Sequence, residues 1–375
     1  MRNAIAMTSL SLTLALTVSP PGAGVAAAQQ AGTVVASGLN GPMGVLAASD
    51  GSMWVVETGV GGDQKLELLS PTTGQLTPSS YGQTSRIIRI NPDRSTTEVA
   101  RLPSVWMGPA DSFGGARLAM LGDTLYVTSG ARSTEWELPW SKMAAVVRIH
   151  AGQVNVVADL WEIESTQNPD GFSPIDSNPY GLAVGPDRNL WVTDAAGNTL
   201  LKVDPSTGAV ELVTVFETLP SPIPNPLRGG KMVTDAVPTG VAFDADGNLY
   251  VSLLPGFPFV PGSAKVVRVT SDGEVSDYAT GLTMLTDLRL APDGDLYAVS
   301  LGRFTEQGPV PNSGAVVRIE EGAGSREVLT GLSFPTSIDF NAAGDAYVTI
   351  NGLAVPGTGQ VVMYEGLAKR AGTTR

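Results

Sequence analysis

The chain has 375 residues, of which 42% are hydrophobic and 16% are charged, and it contains no cysteine. This apolar content excludes disorder of the whole chain, and the lack of cysteine excludes disulfides, thiolate metal sites and cysteine nucleophiles. A formal net charge of -13 argues against nucleic acid as a partner and favours a cationic or neutral one, because phosphate binding needs a basic surface.

The N-terminal segment has the pattern of an export signal. Arg2 provides a positive charge, residues 5–18 form an apolar run, and the alanines at 26–28 offer a cleavage site. This run is shorter than the roughly 20 apolar residues that a membrane-spanning helix needs. The sequence therefore predicts a signal peptide over residues 1–28. The mature protein, residues 29–375, is expected to be a single domain that is secreted, extracellular or periplasmic, with no membrane span.

One pattern then recurs six times along the chain. Each copy has Pro-x-Gly or a related start, an apolar pair, a tight turn such as Asp-Gly, and an apolar strand that contains Tyr or Trp. Apolar strands on both sides of a Gly, Asp or Asn turn are typical of β-hairpins. The six copies occupy residues 42–57, 113–129, 179–194, 238–253, 285–301 and 335–350.

Each hairpin is followed by a third strand of the Val-Val-Arg-Ile type and, after a polar turn, by a fourth apolar strand. The third strands are expected at residues 87–90, 146–149, 200–203, 266–269, 316–319 and 361–364. Four strands in each of several repeats are typical of a propeller. We therefore predict an all-β fold, a six-bladed β-propeller of four-stranded antiparallel blades.

The two ends of the repeat array complement each other. The last copy stops after its third strand, whereas residues 33–39 (TVVASGL) form an orphan strand that matches the fourth-strand text at 327–332 (EVLTGL). We expect this N-terminal strand to join the last blade and close the ring. Closure would hide two sheet edges that otherwise favour aggregation.

The long insertions fall between the second and third strands of a repeat, or between its fourth strand and the next repeat. In a propeller these connections leave on the same face, so one face is expected to carry the loops and the function. Aromatic residues collect in these insertions, and two interpretations remain open. The rings pack the loops onto the propeller, or they line a cleft for an apolar or sugar-like ligand. The candidate ligand-binding residues are Trp106, Trp136, Trp140, Trp161 and Phe172.

Carboxylates are the better candidates for chemistry. The single histidine, His150, is expected on the plain face, and the sequence has no Gly-x-Ser-x-Gly, Walker or His-Glu-x-x-His motif. Oxygen ligands from several blades around a central channel would suit a divalent cation such as Ca²⁺. The candidate metal ligands are Glu57, Asp194, Asn198, Asp235, Asp287 and Asp339.

Asp287 and Asp339 also have a structural interpretation. They replace the small residue expected in the first strand of two adjacent blades, and Arg289 lies between them in the sequence. A buried Asp-Arg-Asp bridge would fix these two blades against each other. The sequence leaves the bridge and the metal site open.

Several stretches resemble the ScyD/ScyE family of exported bacterial proteins: PMG at 42–44, ETGVGG at 57–62, NPYGLA at 178–183 and the Val-Val-Arg-Ile repeats. The resemblance covers nearly all of the mature chain. It implies an NHL-like six-bladed propeller behind a signal peptide, without a settled enzymatic activity.

A more distant resemblance concerns residues 191–198 (WVTDAAGN), which are similar to the NHL repeat. The expected fold is also similar to that of gluconolactonase-like and strictosidine-synthase-like propellers. Such lactonases hold a divalent cation with Glu, Asn and Asp side chains, and Glu57 and Asp194 match part of that set.

Three functions follow from these patterns. The leading hypothesis is an exported, monomeric propeller that binds a small molecule or a protein partner through its loop-rich face. The alternatives are a metal-dependent hydrolase or lactonase that uses channel carboxylates, and a structural protein of the cell envelope or matrix.

Overall fold

The computed structural model of the protein describes residues 31–70, 74–108, 111–138, 142–305 and 308–369. The predicted signal peptide, residues 1–28, lies outside these ranges. Within them the protein is nearly all-β, and no helix is long and apolar enough to cross a membrane.

The first half of the chain forms two sheets and a set of insertions. After β1 (Thr33–Leu39), sheet 1 contains β2 (Pro42–Ala47), β3 (Met53–Glu57), β4 (Gln64–Leu69), β5 (Leu76–Ile90), β6 (Thr96–Trp106) and β7 (Ser112–Phe113). Sheet 2 follows with β8 (Gly115–Leu121), β9 (Thr124–Ser129), then the inserted β10 (Arg132–Ser133), and β11 (Ala145–His150) and β12 (Gln153–Asp159). Helix α1 (Trp161–Gln167) and β13 (Asp176–Ser177), which pairs with β10, come next.

The second half forms four further sheets. Sheet 3 contains β14 (Pro179–Val184), β15 (Leu190–Asp194), β16 (Thr199–Val203) and β17 (Val210–Val215). An inserted hairpin follows, made of β18 (Leu219–Asn225), a 3₁₀ helix (Pro226–Arg228) and β19 (Lys231–Thr234). Sheet 4 contains β20 (Pro238–Phe243), β21 (Leu249–Leu253), β22 (Ala264–Val269) and β23 (Val275–Leu282).

Sheet 5 contains β24 (Leu285–Leu290), β25 (Leu296–Ser300), an inserted pair β26 (Phe304–Thr305) and β27 (Gly308–Pro309), then β28 (Gly314–Ile319) and β29 (Arg326–Leu332). Sheet 6 contains β30 (Ser337–Phe340), β31 (Ala346–Ile350) and β32 (Gly359–Tyr364). Strand β1 completes sheet 6, because it pairs antiparallel with β32 from Thr33 opposite Met363 to Leu39 opposite Gly359.

The described core consists of apolar clusters between neighbouring sheets. Separate clusters lie between sheets 1 and 2, 2 and 3, 3 and 4, 4 and 5, and 5 and 6. A further cluster joins sheet 6 to sheet 1, where Val35, Leu39 and Val361 pack with Val45 and Val55. Both faces of the strands are therefore covered, which explains why so many of them read as continuous apolar runs.

The innermost strands meet at one equivalent register position in each sheet. This position immediately precedes the residue that pairs with the middle of the second strand, and the six residues there are Gly44, Arg117, Gly181, Gly240, Asp287 and Ser337. A Cβ at Gly181 would lie 2.2 Å from the carbonyl oxygen of Thr239 in sheet 4, and one at Gly240 would lie 2.3 Å from the amide nitrogen of Leu288 in sheet 5. The repeated glycine therefore permits neighbouring inner strands to approach each other.

Arg117 replaces this glycine in sheet 2 and is completely buried. Its guanidinium donates to the carbonyl oxygens of Met43 in sheet 1, Thr286 in sheet 5 and Thr336 next to β30. It lies 4.5 Å from the ring centroid of Tyr180 in sheet 3, and its Nε lies 3.3 Å from Oδ1 of Asp287. One side chain thus contacts the inner strands of four sheets besides its own.

A chain that begins at Asn40 would lack β1 and expose the edge of β32. It would also lose the burial of Val35 and Leu39, which are 9% and 3% exposed, at a cost of about 4 kcal/mol. We expect a lower urea midpoint than that of a control chain that begins at Thr33 and retains β1. Equal midpoints for the two chains would contradict a structural role for β1.

Candidate functional site

The inserted segments of sheets 1 to 4 surround a cleft of about 370 Å³. One wall comes from the β4–β5 hairpin and the segment before β7, and a second from the β9–β11 connection. The remaining walls are formed by the segment between α1 and β14, the β18–β19 hairpin and the loop after β21. The cleft is thus built on the connections that the sequence predicts to be long.

Aromatic rings supply much of the apolar lining. The rings in the walls belong to Phe113, Trp136, Phe257 and Phe259. Trp136 is 6% exposed, its Nε1 donates to the carbonyl oxygen of Leu69 at 2.9 Å, and its ring lies 5.4 Å from that of Phe113. Trp136 therefore both fixes the β9–β11 insertion against β4 and presents an edge to the cleft.

Asp176 is a carboxyl group of the cleft wall that has no hydrogen-bond or ion-pair partner among the described residues. It lies on β13, opposite Ser133 of β10. Burial raises the pKa of Asp176 to about 7, with a further contribution from the negative charges of Asp194 and Asp170. At neutral pH this side chain therefore exchanges between the acid and the carboxylate.

Glu164 lies behind the cleft on α1 and is 1% exposed. Its carboxyl packs against Gly197, where an added Cβ would lie 2.1 Å from Oε1, and this oxygen has no hydrogen-bond partner among the described residues. Burial, reinforced by the charges of Asp194 and Asp170, raises the pKa of Glu164 to about 9. Glu164 is therefore protonated at neutral pH, since an unpaired buried carboxylate is costly.

Asp194 fixes the loop that follows β15. Its Oδ1 accepts from the backbone N–H groups of Asn178, Ala196 and Gly197 at 2.7 to 3.2 Å, and its Oδ2 accepts from the Ser177 hydroxyl at 2.5 Å. Burial raises the pKa of Asp194, and these hydrogen bonds oppose the rise. The carboxylate ties the segment of Asp176 to the loop after β15, which holds the back of the cleft in place.

Two arginines in the cleft walls are held by carboxylates and rings. Arg228 makes two hydrogen bonds of 2.6 Å to Asp235, and its guanidinium lies 3.9 Å from the ring centroid of Phe172. Arg132 lies 3.7 Å from Asp159 and stacks over Trp161 at 4.8 Å. These contacts fix the β18–β19 hairpin and the start of α1 around the cleft.

The predicted ligand-binding residues are divided by the structure. Trp136 lines the cleft, whereas Trp161 and Phe172 stand behind it as supports for Arg132 and Arg228. Trp106 lies at the end of β6, outside the cleft lining, and Trp140 lies outside the described residues. Two of the predicted rings therefore support loops and one lines the cleft, and ligand binding by these residues stays a prediction.

The six predicted metal ligands are engaged by protein groups. Both carboxylate oxygens of Glu57 accept from Arg86, at 2.6 and 2.8 Å, and one of them also accepts from the Asn40 N–H. Asn198 donates to Asp170 and accepts from the Val237 N–H, while Asp194 and Asp235 have the partners described above.

Asp287 and Asp339, on the inner strands of sheets 5 and 6, also have protein partners. Burial pushes the pKa of Asp287 up, but the charges of Arg117 and Arg289 outweigh it and hold the pKa below its usual value. Arg289 lies 3.9 Å from Asp287, and Asp339 accepts from the Ala47 N–H at 2.7 Å. Of the expected Asp-Arg-Asp bridge, only the contact between Arg289 and Asp287 is found among the described residues, and Arg289 makes no ion pair with Asp339 there. Arg117, which the sequence interpretation omitted, is the closer partner of Asp287 at 3.3 Å.

The candidate ligands do not fit a common ion in this arrangement. Within the described ranges, no group of three or more His, Cys, Asp or Glu side chains is placed to hold a metal. We therefore derive no chemistry from a channel metal.

Sequence reasoning missed the residues that shape the cleft most, namely Asp176, Glu164 and the two arginines. None of them belongs to the repeat, so alignment of the copies gives no signal for them. The distribution of charge does give a signal. Residues 161–178 contain Glu162, Glu164, Asp170 and Asp176 but no Lys or Arg. Such a run inside a loop insertion indicates carboxylates close enough to raise one another's pKa.

No protein-family model and no curated protein matches the sequence. Among solved structures, a putative oxidoreductase (glucose dehydrogenase) from Thermus thermophilus is 19% identical with a TM-score of 0.53, over 89% of this chain and 99% of that one. A protein of unknown function from Bacteroides thetaiotaomicron is 13% identical with a TM-score of 0.51, over 89% and 72%. A gluconolactonase from Xanthomonas campestris is 11% identical with a TM-score of 0.47, over 91% and 99%.

Identities of this size show the fold alone, and they confirm the predicted β-propeller. They leave the resemblance to the ScyD/ScyE family as a prediction.

Substitution Glu164→Gln should change how the stability of the protein depends on pH. The pKa of Glu164 rises from 4.5 to about 9 on folding, so its contribution to stability is lost as pH rises through this window. At about pH 8 we expect the variant to be more stable than wild type by about 2 kcal/mol, and at about pH 5 nearly equal to it.

Urea unfolding at both pH values measures this difference. Glu162→Gln is the matched control, because Glu162 lies on the same helix and is exposed. A pH-independent effect of Glu164→Gln would show that Glu164 is not protonated in the folded protein.

Proposed function

We propose that this protein is an exported, monomeric β-propeller that binds a small organic molecule in the cleft of its loop-rich face. The observation that carries the proposal is the cleft itself, which combines four aromatic rings in about 370 Å³ with a carboxyl group that has no partner among the described residues. Concave sites lined by rings and a few converging polar groups are the usual form of small-molecule sites. Export rests on the N-terminal signal pattern of the sequence.

The scaffold in this proposal is a closed ring of six blades. Three observations support it: an apolar cluster joins sheet 6 to sheet 1, β1 pairs with β32, and Arg117 contacts the inner strands of sheets 1, 3, 5 and 6. In such a ring, β4 and β7 are additions to the first blade and belong to the loop-rich face. The chain that begins at Asn40 tests this closure.

The walls of the cleft favour binding over a purely structural role in an envelope or matrix. A scaffold needs no unsatisfied carboxyl groups in a concave site, because each one costs stability. Asp176 and Glu164 keep raised pKa values, of about 7 and about 9, at this one place. Such groups concentrate at functional sites.

Binding can be tested with Phe257→Ala. Phe257 lines the cleft and is 39% exposed, so the change should remove ligand contact with little loss of stability. In a thermal-shift screen of monosaccharides, lactones and organic amines, we expect at least one compound to raise the Tm of wild type, and its Kd to weaken about tenfold in the variant.

The control is Val275→Ala, at an exposed apolar residue of β23 outside the cleft lining. A panel without a stabilising compound, or compounds that act equally on Phe257→Ala and wild type, would overturn the proposal.

A second candidate function is hydrolysis of an ester or lactone. It is favoured by Asp176, because a carboxyl group with a pKa of about 7 in a cleft suits general base catalysis at neutral pH. Its carboxylate would take a proton from the water molecule that attacks the carbonyl carbon. As the C–O bond breaks, the leaving oxygen would take up that proton. This route uses the cleft and not the channel carboxylates that the sequence favoured.

Hydrolysis can be tested with Asp176→Asn, assayed on a series of γ- and δ-lactones and nitrophenyl esters. We expect the kcat/KM of wild type to increase as pH rises through about 7, because the base must be deprotonated. The variant should lose about 100-fold and the pH dependence. Asp123→Asn, at an exposed turn between β8 and β9, should behave as wild type. Equal rates in Asp176→Asn and wild type would exclude Asp176 as the base.

A further inference from the structure

We propose that the cleft is selective for an organic cation of the ammonium type, carried on a small apolar body. The inference rests on the proposed binding function and specifies the chemical class of its ligand. It follows from the balance of charges in the walls, from the absence of a protein partner for Asp176 among the described residues, and from the rings beside it.

The lining contains more acids than bases. The acidic residues are Asp111, Glu135, Asp176 and Asp235, and the basic residues are Arg132 and Arg228. Arg228 is already matched by Asp235 at 2.6 Å, and Arg132 lies 3.7 Å from Asp159, which is outside the lining. The charge of Arg228 is therefore committed to a carboxylate of the cleft, and that of Arg132 faces a carboxylate outside the cleft at a longer distance.

Neither Asp176 nor Glu135 makes an ion pair among the described residues, and the charge of Arg228 only partly offsets the effect of burial and of the neighbouring acids on the pKa of Asp176. Behind the wall, Asp194 adds a buried carboxylate, and Asp170 adds another negative charge close enough to act on Asp176. An anionic ligand would meet this field unfavourably, whereas a cation would supply the charge that Asp176 lacks.

Aromatic faces beside carboxylates add a second attraction for a cation. The chain already stacks its own cleft cations on rings, with Arg228 at 3.9 Å from the centroid of Phe172 and Arg132 at 4.8 Å from that of Trp161. The rings of Phe257 and Phe259 line the same cleft and carry no such cation in the described part of the chain. They are available to a ligand, and quaternary ammonium groups bind such ring faces well.

Three probes of nearly equal shape separate charge from size. Choline carries a quaternary ammonium group, 3,3-dimethylbutan-1-ol is its uncharged counterpart, and 3,3-dimethylbutyrate carries a negative charge. In titration calorimetry with the folded protein, we expect choline to bind about tenfold more tightly than the alcohol, and the butyrate to bind most weakly.

The charge preference should depend on Asp176. We expect Asp176→Asn to reduce the choline-to-alcohol ratio to about threefold or less, while Asp123→Asn keeps it, although both variants remove one negative charge. A retained ratio in Asp176→Asn would overturn the role of that residue.

The outcomes separate this inference from the binding function. If the alcohol binds as tightly as choline, or if choline does not bind while a sugar or lactone from the wider panel does, the cleft is a binding site but the cation class is wrong. If no compound of the panel or the probe set binds, both fail.

Discussion

The guanidinium of Arg117 is the interaction on which the arrangement of the sheets depends. It is fully buried, it donates to carbonyl groups at sheets 1, 5 and 6, and its charge is matched by Asp287 of sheet 5. Removing one member of such a pair typically costs about 3–5 kcal/mol, because the other charge remains buried. The glycines at the equivalent positions of sheets 1, 3 and 4 allow the backbones of neighbouring inner strands to approach each other.

The contacts of Arg117 affect where in the fold a ligand can be bound. The inner ends of the strands are occupied by Arg117, Asp287 and Arg289, which are committed to one another and to backbone carbonyls. The cleft lies instead among the insertions, where hairpins from different sheets enclose it. The scaffold supplies rigid attachment points, and the insertions supply the rings and the acids.

The acids of the cleft illustrate how burial and charge act together. Asp194 accepts hydrogen bonds from three backbone N–H groups and a hydroxyl, and these bonds oppose the rise that burial causes in its pKa. Asp176 and Glu164 lack such donors among the described residues, and their pKa values rise to about 7 and about 9 under the influence of burial and of the Asp194 charge. One well-supported carboxylate thus makes its neighbours responsive to pH and to positive charge.

The sequence alone determined the repeat, the strand order within each sheet and the position of the long connections, because these follow from local patterns: apolar strands, Gly and Asp turns, and a small residue where inner strands approach. It also placed Asp287 at a special position, since an acid there departs from the repeat. Only the tertiary structure decided the partner of Asp287. Arg117 lies 170 residues earlier, in a copy of the repeat that departs from the common sequence pattern. The cleft depended on tertiary structure in the same way, since Asp176, Phe257 and Trp136 come from three separate insertions that no local pattern relates.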